Sequence, residues 1–130
     1  MKVAFVCVHN SCRSQMAEGY LRALGEGRFE VYSAGTESYP KVKDGAVDAM
    51  KLDGIDITKQ YPKTLEVLPK DLDVLITMGC GVECPYVPAK HREDWGIDDP
   101  SGQPMDAFIN ARNTIKAKVM DLIEAHKKDV

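Results

Sequence analysis

The sequence predicts an α/β fold, a three-layer sandwich in which a four-stranded parallel sheet carries helices on both faces. Short apolar runs alternate with amphipathic helical patterns along the chain, and this alternation is typical of βαβ units. No internal repeat or low-complexity segment interrupts the order, and 130 residues with 44% hydrophobic content suit one core. We therefore expect a single domain over residues 1–130.

The first βα unit begins at the start of the chain. Residues 2–8 form a short apolar run rich in valine and predict a buried strand. After the polar residues 9–14, apolar side chains recur at three- and four-residue steps from Met16 to Leu24. That spacing predicts a helix, which Gly25 is suited to end.

The second unit repeats this order. Residues 29–34 alternate in polarity and predict a strand that ends at Gly35. Residues 44–52 place alanine, valine and methionine on one side and predict a second helix, followed by Gly54.

The second half of the chain contains two further strands and a long helix. A short helix is expected over residues 64–68, with Thr64 as its N-cap. Residues 73–78 form the clearest apolar strand, and residues 91–95 predict a short edge strand. Residues 103–128 show the periodicity of a long amphipathic helix.

The charge balance argues against nucleic-acid and membrane partners. The chain has 17 basic and 20 acidic residues, a net charge of -3, and no basic cluster stands out. No apolar run approaches the ~20 residues of a membrane span, and the first residues lack the features of a signal peptide. We expect a cytoplasmic protein with reduced cysteines. We also expect a monomer, because no large apolar surface is indicated.

The turn after the first strand carries the pattern Cys7-x5-Arg13-Ser14, and a helix follows it. Backbone N–H groups of such a loop, with the positive end of the helix, can surround a tetrahedral oxyanion. Arg13 can bind two of its oxygens, and the same positive field favours a nucleophilic Cys7 thiolate. Ser14 can donate to that thiolate, and Asn10 can brace the loop. The predicted oxyanion-binding residues are Val8, His9, Asn10, Ser11, Cys12, Arg13 and Ser14.

Two residues of this loop have a plainer interpretation. A cysteine at a strand end is often only a small buried apolar residue. The strand before it, the helix behind it and the serine after Arg13 favour a catalytic Cys7. Cys12 is expected to shape the loop and not to react.

The segment from Asn10 to Gly19 reads Asn-Ser-Cys-Arg-Ser-Gln-Met-Ala-Glu-Gly. It resembles the loop and first helix of the arsenate reductases of the low-molecular-weight tyrosine phosphatase superfamily. Residues 32–35 and 95–102 are similar as well, so the resemblance covers nearly the whole chain. It implies the fold of that superfamily and the reduction of arsenate to arsenite in arsenic detoxification, with phosphate or sulfate as substrate analogues.

The resemblance also implies a general acid, the aspartate directly before Pro100. This residue is Asp99 in the sequence Asp98-Asp99-Pro100. An Asp-Pro pair by itself is equally typical of a turn. Asp98 has no assigned role.

Two further cysteines, Cys80 and Cys84, lie in a glycine- and proline-rich segment after the third predicted strand. The resemblance implies a relay in which Cys7 attacks arsenate and two more cysteines pass on a disulfide. Cys80 and Cys84 are the candidates, in an order that stays open. Thioredoxin or another thiol reductant, such as glutaredoxin or a small thiol, is expected to recycle the enzyme. A zinc site formed by this pair with His91, and with Cys12 as a further candidate ligand, is the alternative.

A potassium ion is the one cofactor that the resemblance suggests. In some relatives such an ion steadies the catalytic loop, and the matching residues here are Asn10, Glu18 and Ser33. A hydrogen-bond network among the same residues is an equal alternative. No cofactor is expected to be required, and no metal site is firmly indicated.

The main alternative function is that of a low-molecular-weight protein tyrosine phosphatase. The same nucleophile, arginine and acid would hydrolyse phosphate monoesters through a phosphocysteine intermediate. Those phosphatases usually carry an aromatic residue after the Asp-Pro pair, where this chain has Ser101. They also have no use for a second cysteine pair.

Overall fold

The computed structural model describes residues 1–79 and 87–126. Within these residues it contains four strands, three α-helices and one turn of 3-10 helix at Leu65–Val67. In chain order the strands and α-helices are β1 Lys2–Cys7, α1 Arg13–Leu24, β2 Glu30–Gly35, α2 Asp44–Leu52, β3 Leu72–Thr77, β4 Ala89–Asp94 and α3 Met105–Ala125.

The four strands form one parallel sheet in the order β2-β1-β3-β4. This confirms the predicted α/β class and the four-stranded parallel sheet. The chain turns to opposite sides of β1 to form β2 and β3, so the strand order reverses beside β1. Ligands of open α/β sheets bind at such a reversal, outside the carboxyl ends of the strands. Cys7, the last residue of β1, lies at this position.

The two faces of the sheet are covered unequally. One face packs Val3 and Phe5 of β1 against side chains from all three α-helices, in the larger core cluster. The other face packs Ala4 and Val6 against partly buried side chains near the 3-10 turn, Leu65 among them. Helical segments therefore lie on both faces, as predicted, although among the described residues the second face carries only the 3-10 turn.

Most predicted elements occur, with shifted ends. The predicted helix over residues 44–52 coincides with α2, whereas α3 begins at Met105 and not at residue 103. Pro104 explains this later start, because the residue before a proline disfavours the helical conformation. Within the described residues, no helix combines the length and apolar character needed to cross a membrane.

Thr64 occupies the N-cap position of the turn that follows it, as predicted, and its carbonyl accepts from the Val67 N–H at 3.3 Å. The turn itself is shorter than the helix expected over residues 64–68. The helical turn there is a 3-10 turn, and the Thr64 side chain makes no capping hydrogen bond within the described part of the chain. Thr64 has the extended backbone that is usual for an N-cap residue, and it also forms a parallel bridge with Gly35. This pairing connects the start of the turn to the end of β2.

Candidate active site

The anion loop, residues 7–14, joins β1 to α1 and places Cys7 beside Ser14. Cys7 is 3% exposed, and its Sγ lies 2.8 Å from Ser14 Oγ. Asn10 Nδ2 donates to the same Oγ at 2.7 Å. Since the amide nitrogen only donates, the hydroxyl hydrogen of Ser14 is free to point at Cys7 Sγ. A hydrogen bond of this kind favours the ionised form of a thiol, which is the nucleophilic one.

Asn10 supports the loop from beneath. It is fully buried and has a φ of 53°, a left-handed conformation that asparagine adopts more readily than most residues. Its Oδ1 accepts from the backbone N–H of Lys63 at 2.9 Å and from Gln15 Nε2 at 3.0 Å. These bonds fix the amide so that its nitrogen faces Ser14.

Gln15 and Gln60 extend this support to a distant segment. Gln15 Nε2 also donates to the carbonyls of Asn10 and Tyr61, both at 2.9 Å. Gln60 Nε2 donates to Gln15 Oε1 at 2.7 Å. Sequence reasoning missed Gln15, Gln60 and Lys63, because a buried amide or an ordinary lysine has no local pattern that marks it.

Gly35 allows the end of β2 to pack directly against the loop. A Cβ atom at Gly35 would lie 2.7 Å from Val8 O and 2.8 Å from the carbonyl carbon of His9. The next residue, Thr36, donates its backbone N–H to Cys7 O at 3.2 Å. Only glycine therefore fits this contact without a shift of the backbone.

Arg13 is the first residue of α1 and is 7% exposed. Its Nη1 donates to Met78 O at 2.5 Å and to Ile97 O at 2.8 Å. Its Nη2 lies 4.0 Å from Asp99 Oδ2. The guanidinium is thus oriented by the segments that follow β3 and β4. Because α1 begins at this loop, the first N–H groups and the positive end of α1 face the anion loop as well.

Asp99 lies at the mouth of the loop with 46% of its side chain exposed. Its Oδ1 accepts from the backbone N–H of Ser101 at 3.0 Å and from Ser101 Oγ at 2.7 Å. Partial burial favours the neutral form, but the Ser101 bonds and the charges of Arg13 and Lys43 outweigh it. The pKa of Asp99 is therefore below its ordinary value. An anion bound beside it would raise this pKa and help Asp99 to hold a proton.

His9 and Cys12 differ in their exposure. His9 exposes 39% of its side chain, its Nε2 lies 3.6 Å from Glu37 Oε1, and its ring packs against Tyr39. Cys12 is 3% exposed, and burial, with the nearby Asp99 and Cys7, raises the pKa of its thiol far above the ordinary value. Cys12 is therefore a neutral thiol that fills space under the loop. Neighbouring Ser11 accepts from the backbone N–H of Lys43 at 2.7 Å.

Glu18 and Ser33, named in the potassium hypothesis, meet behind the loop. Ser33 Oγ donates to Glu18 Oε1, and Arg22 Nε donates to Glu18 Oε2 at 2.9 Å. Asn10 joins this group through Lys63, which contacts both sides. The hydrogen-bond network that the sequence suggested as one alternative is present.

Cys80 and Cys84 lie outside the described residues, so the structure does not address their predicted roles. The same holds for the zinc site predicted from this pair. Within residues 1–79 and 87–126, no group of three or more His, Cys, Asp and Glu side chains is placed to hold a metal ion.

A sequence model of the low molecular weight phosphotyrosine protein phosphatases matches residues 2–130. The chain belongs to this family. Among its relatives, a protein of Synechocystis sp. named glutaredoxin arsenate reductase is 44% identical over 94% of this chain and 95% of the relative. An arsenate reductase of Staphylococcus aureus is 37% identical over 90% of this chain and 92% of the relative.

A solved structure is closely similar in fold to the present chain. It is described as an arsenate reductase in the phosphate-binding state and superposes with a TM-score of 0.88 at 43% identity. The match covers 95% of this chain and 97% of that one. The predicted resemblance to this superfamily and its fold is therefore confirmed.

Proposed function

We propose that this member of the phosphatase family is an arsenate reductase that acts in arsenic detoxification. The assignment of arsenate as the substrate rests on one observation. Along nearly its whole length, the chain is similar to proteins named arsenate reductases. The loop supports the chemistry. It combines a buried Cys7, a serine bonded to its sulfur and an oriented arginine at the start of a helix.

In the first step, the Cys7 thiolate attacks the arsenic atom of arsenate and forms an S–As bond. One As–O bond breaks, and its oxygen leaves as water after it takes a proton from Asp99. Arg13 and the first N–H groups of α1 stabilise the charge on the remaining oxygens. Asp99 is able to hold the required proton because the bound anion raises its pKa.

In the second step, a further cysteine thiolate attacks Cys7 Sγ. The S–As bond breaks and its electron pair stays on arsenic, which leaves as arsenite, while the two sulfurs form a disulfide. Cys80 and Cys84 are the proposed second and third thiols. An external dithiol or two small thiols then reduce the last disulfide. The name of the Synechocystis relative favours glutaredoxin as this reductant, and a cytoplasmic location would supply it.

Hydrolysis of phosphate monoesters would begin with the same attack by Cys7, with the alcohol of the ester as the leaving group. Water would then attack the phosphorus atom of the phosphocysteine, and the S–P bond would break to return the Cys7 thiolate. The relatives named arsenate reductases do not favour this as the main activity. Ser101, which stands where tyrosine phosphatases usually carry an aromatic residue, donates two hydrogen bonds to Asp99 and offers no ring to clasp a phosphotyrosine. Slow hydrolysis of a small phosphate ester remains expected.

The test is an arsenate-reduction assay in which glutaredoxin with glutathione, thioredoxin and small thiols are supplied separately. Cys7→Ser should abolish both arsenate reduction and p-nitrophenyl phosphate hydrolysis, by about 10⁴-fold or more. Cys80→Ser and Cys84→Ser should stop arsenate turnover and retain the hydrolysis, which needs no relay.

Two outcomes would contradict this proposal. Normal arsenate reduction by both relay variants would exclude the proposed roles of Cys80 and Cys84. Rapid hydrolysis of phosphotyrosyl peptides by the wild type, with no arsenate reduction in the presence of any reductant, would make the protein a phosphatase.

A further inference from the structure

Lys63 places a positive charge behind the anion loop. Its side chain is 14% exposed, and its Nζ lies 3.7 Å from Glu18 Oε1 and donates to Tyr61 O at 2.6 Å. Its backbone N–H donates to Asn10 Oδ1 at 2.9 Å, and its carbonyl accepts from the Gly35 N–H at 2.7 Å. One residue thus contacts the loop, the end of β2 and a buried carboxylate.

The residues assigned to potassium by resemblance do not fit that ion in this chain. Asn10 Oδ1 already accepts two N–H groups, from Lys63 and Gln15. Both oxygens of Glu18 accept hydrogen bonds, one from Ser33 and one from Arg22. A potassium ion would have to displace these donors and stand beside the Lys63 ammonium, which repels it.

We propose that Lys63 is a positioning residue whose ammonium serves as the fixed cation of the anion loop, so that the loop needs no potassium ion. The ammonium pairs with Glu18 and binds Tyr61 O, which keeps the backbone of residue 63 against Asn10. The Asn10 amide is then held with its nitrogen toward Ser14, and the Ser14 hydroxyl is left to donate to Cys7 Sγ.

Two opposing effects act on the charge of Lys63, and Glu18 supplies the favourable one. Burial lowers the pKa of Lys63, and the charge of Glu18 opposes that effect. Glu18 exposes 6% of its side chain and pairs with Arg22 and Lys63. Without the Lys63 ammonium, only Arg22 of these two would compensate its charge. A buried carboxylate with less compensation disfavours a second negative charge nearby, such as the Cys7 thiolate.

The test follows alkylation of Cys7 by iodoacetamide in the full chain, with the modified Cys7 peptide quantified by mass spectrometry. This readout does not involve arsenate, so it is independent of the proposed function. The wild type is compared in KCl, NaCl and choline chloride at equal ionic strength. We expect the same Cys7 rate in all three salts.

Lys63→Met removes the ammonium and should slow Cys7 alkylation at neutral pH by about tenfold, because the less compensated Glu18 charge then opposes the thiolate. KCl should restore part of this rate more effectively than NaCl, because the ammonium that repels potassium from Glu18 is then absent. Lys63→Arg should keep most of the wild-type rate. Lys41→Met, at an exposed lysine paired with Asp44, is the matched control and should leave the rate unchanged.

A wild-type rate that rises specifically with potassium would overturn the proposal, and this measurement needs no variant. So would a Lys63→Met protein with wild-type Cys7 reactivity. A slow Lys63→Met protein that potassium does not rescue would show that Lys63 acts only through packing, and would likewise overturn it.

Discussion

Beneath the anion loop, Asn10, Ser14 and Gln15 are fully buried, whereas His9 and Asp99 at its mouth expose 39% and 46% of their side chains. Within the described residues, no buried side-chain nitrogen or oxygen lacks a hydrogen-bond partner. The polar groups beneath the loop therefore have one low-energy arrangement, because each broken bond leaves a buried group unsatisfied. At the mouth, water can replace lost partners.

This difference separates two tasks of the site. The base of the loop fixes where Cys7 Sγ and the backbone N–H groups lie. The mouth must admit and release an anion and transfer protons, which requires groups that remain accessible and able to titrate. We expect changes at the base to alter stability and Cys7 reactivity together, and changes at the mouth to alter turnover alone.

The largest effect is expected for Asp99→Asn at the mouth. The amide preserves the shape and can still accept from Ser101, but it cannot supply a proton to the leaving oxygen. The kcat for arsenate reduction should fall by about 10²–10³-fold, the usual contribution of a general acid. Steady-state kinetics and thermal unfolding should show a large loss of turnover with a small change in stability.

The control is Asp98→Asn, at an exposed carboxylate in the same segment, which should keep wild-type turnover. The pH dependence of stability adds a second check. Because the pKa of Asp99 is lowered in the folded protein, its ionised form stabilises the fold at neutral pH. That contribution disappears as the pH falls through the folded-state pKa, so the two proteins should converge in acid. An unfolded Asp99→Asn protein would contradict the proposed separation.

An intermediate effect is expected for Gly35→Ala at the base. The new methyl group would overlap Val8 O, and the backbone must shift, at about 1–3 kcal/mol in the free energy of unfolding. Since the loop is displaced, Cys7 alkylation should slow as well. Urea unfolding and the alkylation rate measure the two effects.

Gly27→Ala is the matched control, because a Cβ atom there meets nothing within 4 Å. Its φ of 77° should still lower stability by about 1–2 kcal/mol. Cys7 reactivity should stay at the wild-type value. Equal losses of Cys7 reactivity in both variants would mean that global stability, and not the contact with the loop, controls the nucleophile.

The smallest effect is expected for His9→Ala. This side chain is at the mouth, partly exposed, and 3.6 Å from its acidic neighbour, Glu37. The free energy of unfolding should change by no more than about 0.5 kcal/mol, as for most surface substitutions. Chemical unfolding measures it. A loss of stability several times larger would mean that His9, at the mouth, is held as rigidly as the residues beneath the loop.

The sequence by itself determined the order of strands and helices and the position of the nucleophile. Polarity periods depend on neighbours a few residues away, and so does the Cys7-x5-Arg13-Ser14 pattern. The same local character explains the difference at residues 64–68, where a short helix was expected and a 3-10 turn of 3 residues is found. Thr64 is the N-cap of this turn, but within the described residues its side chain makes no capping bond, and its backbone also pairs with Gly35.

The tertiary structure alone decided what holds the loop in place. Lys63 reaches Asn10 across 53 positions of the chain, and Arg13 reaches Ile97 across 84. Arg13 and Ile97 meet because a parallel sheet brings the carboxyl ends of its strands to one edge, however far apart they are in sequence. Lys63 joins them because its carbonyl accepts from the Gly35 N–H at the end of β2. A local sequence pattern can therefore identify a reactive cysteine. Which distant residues orient it depends on how the folded chain packs around the sheet.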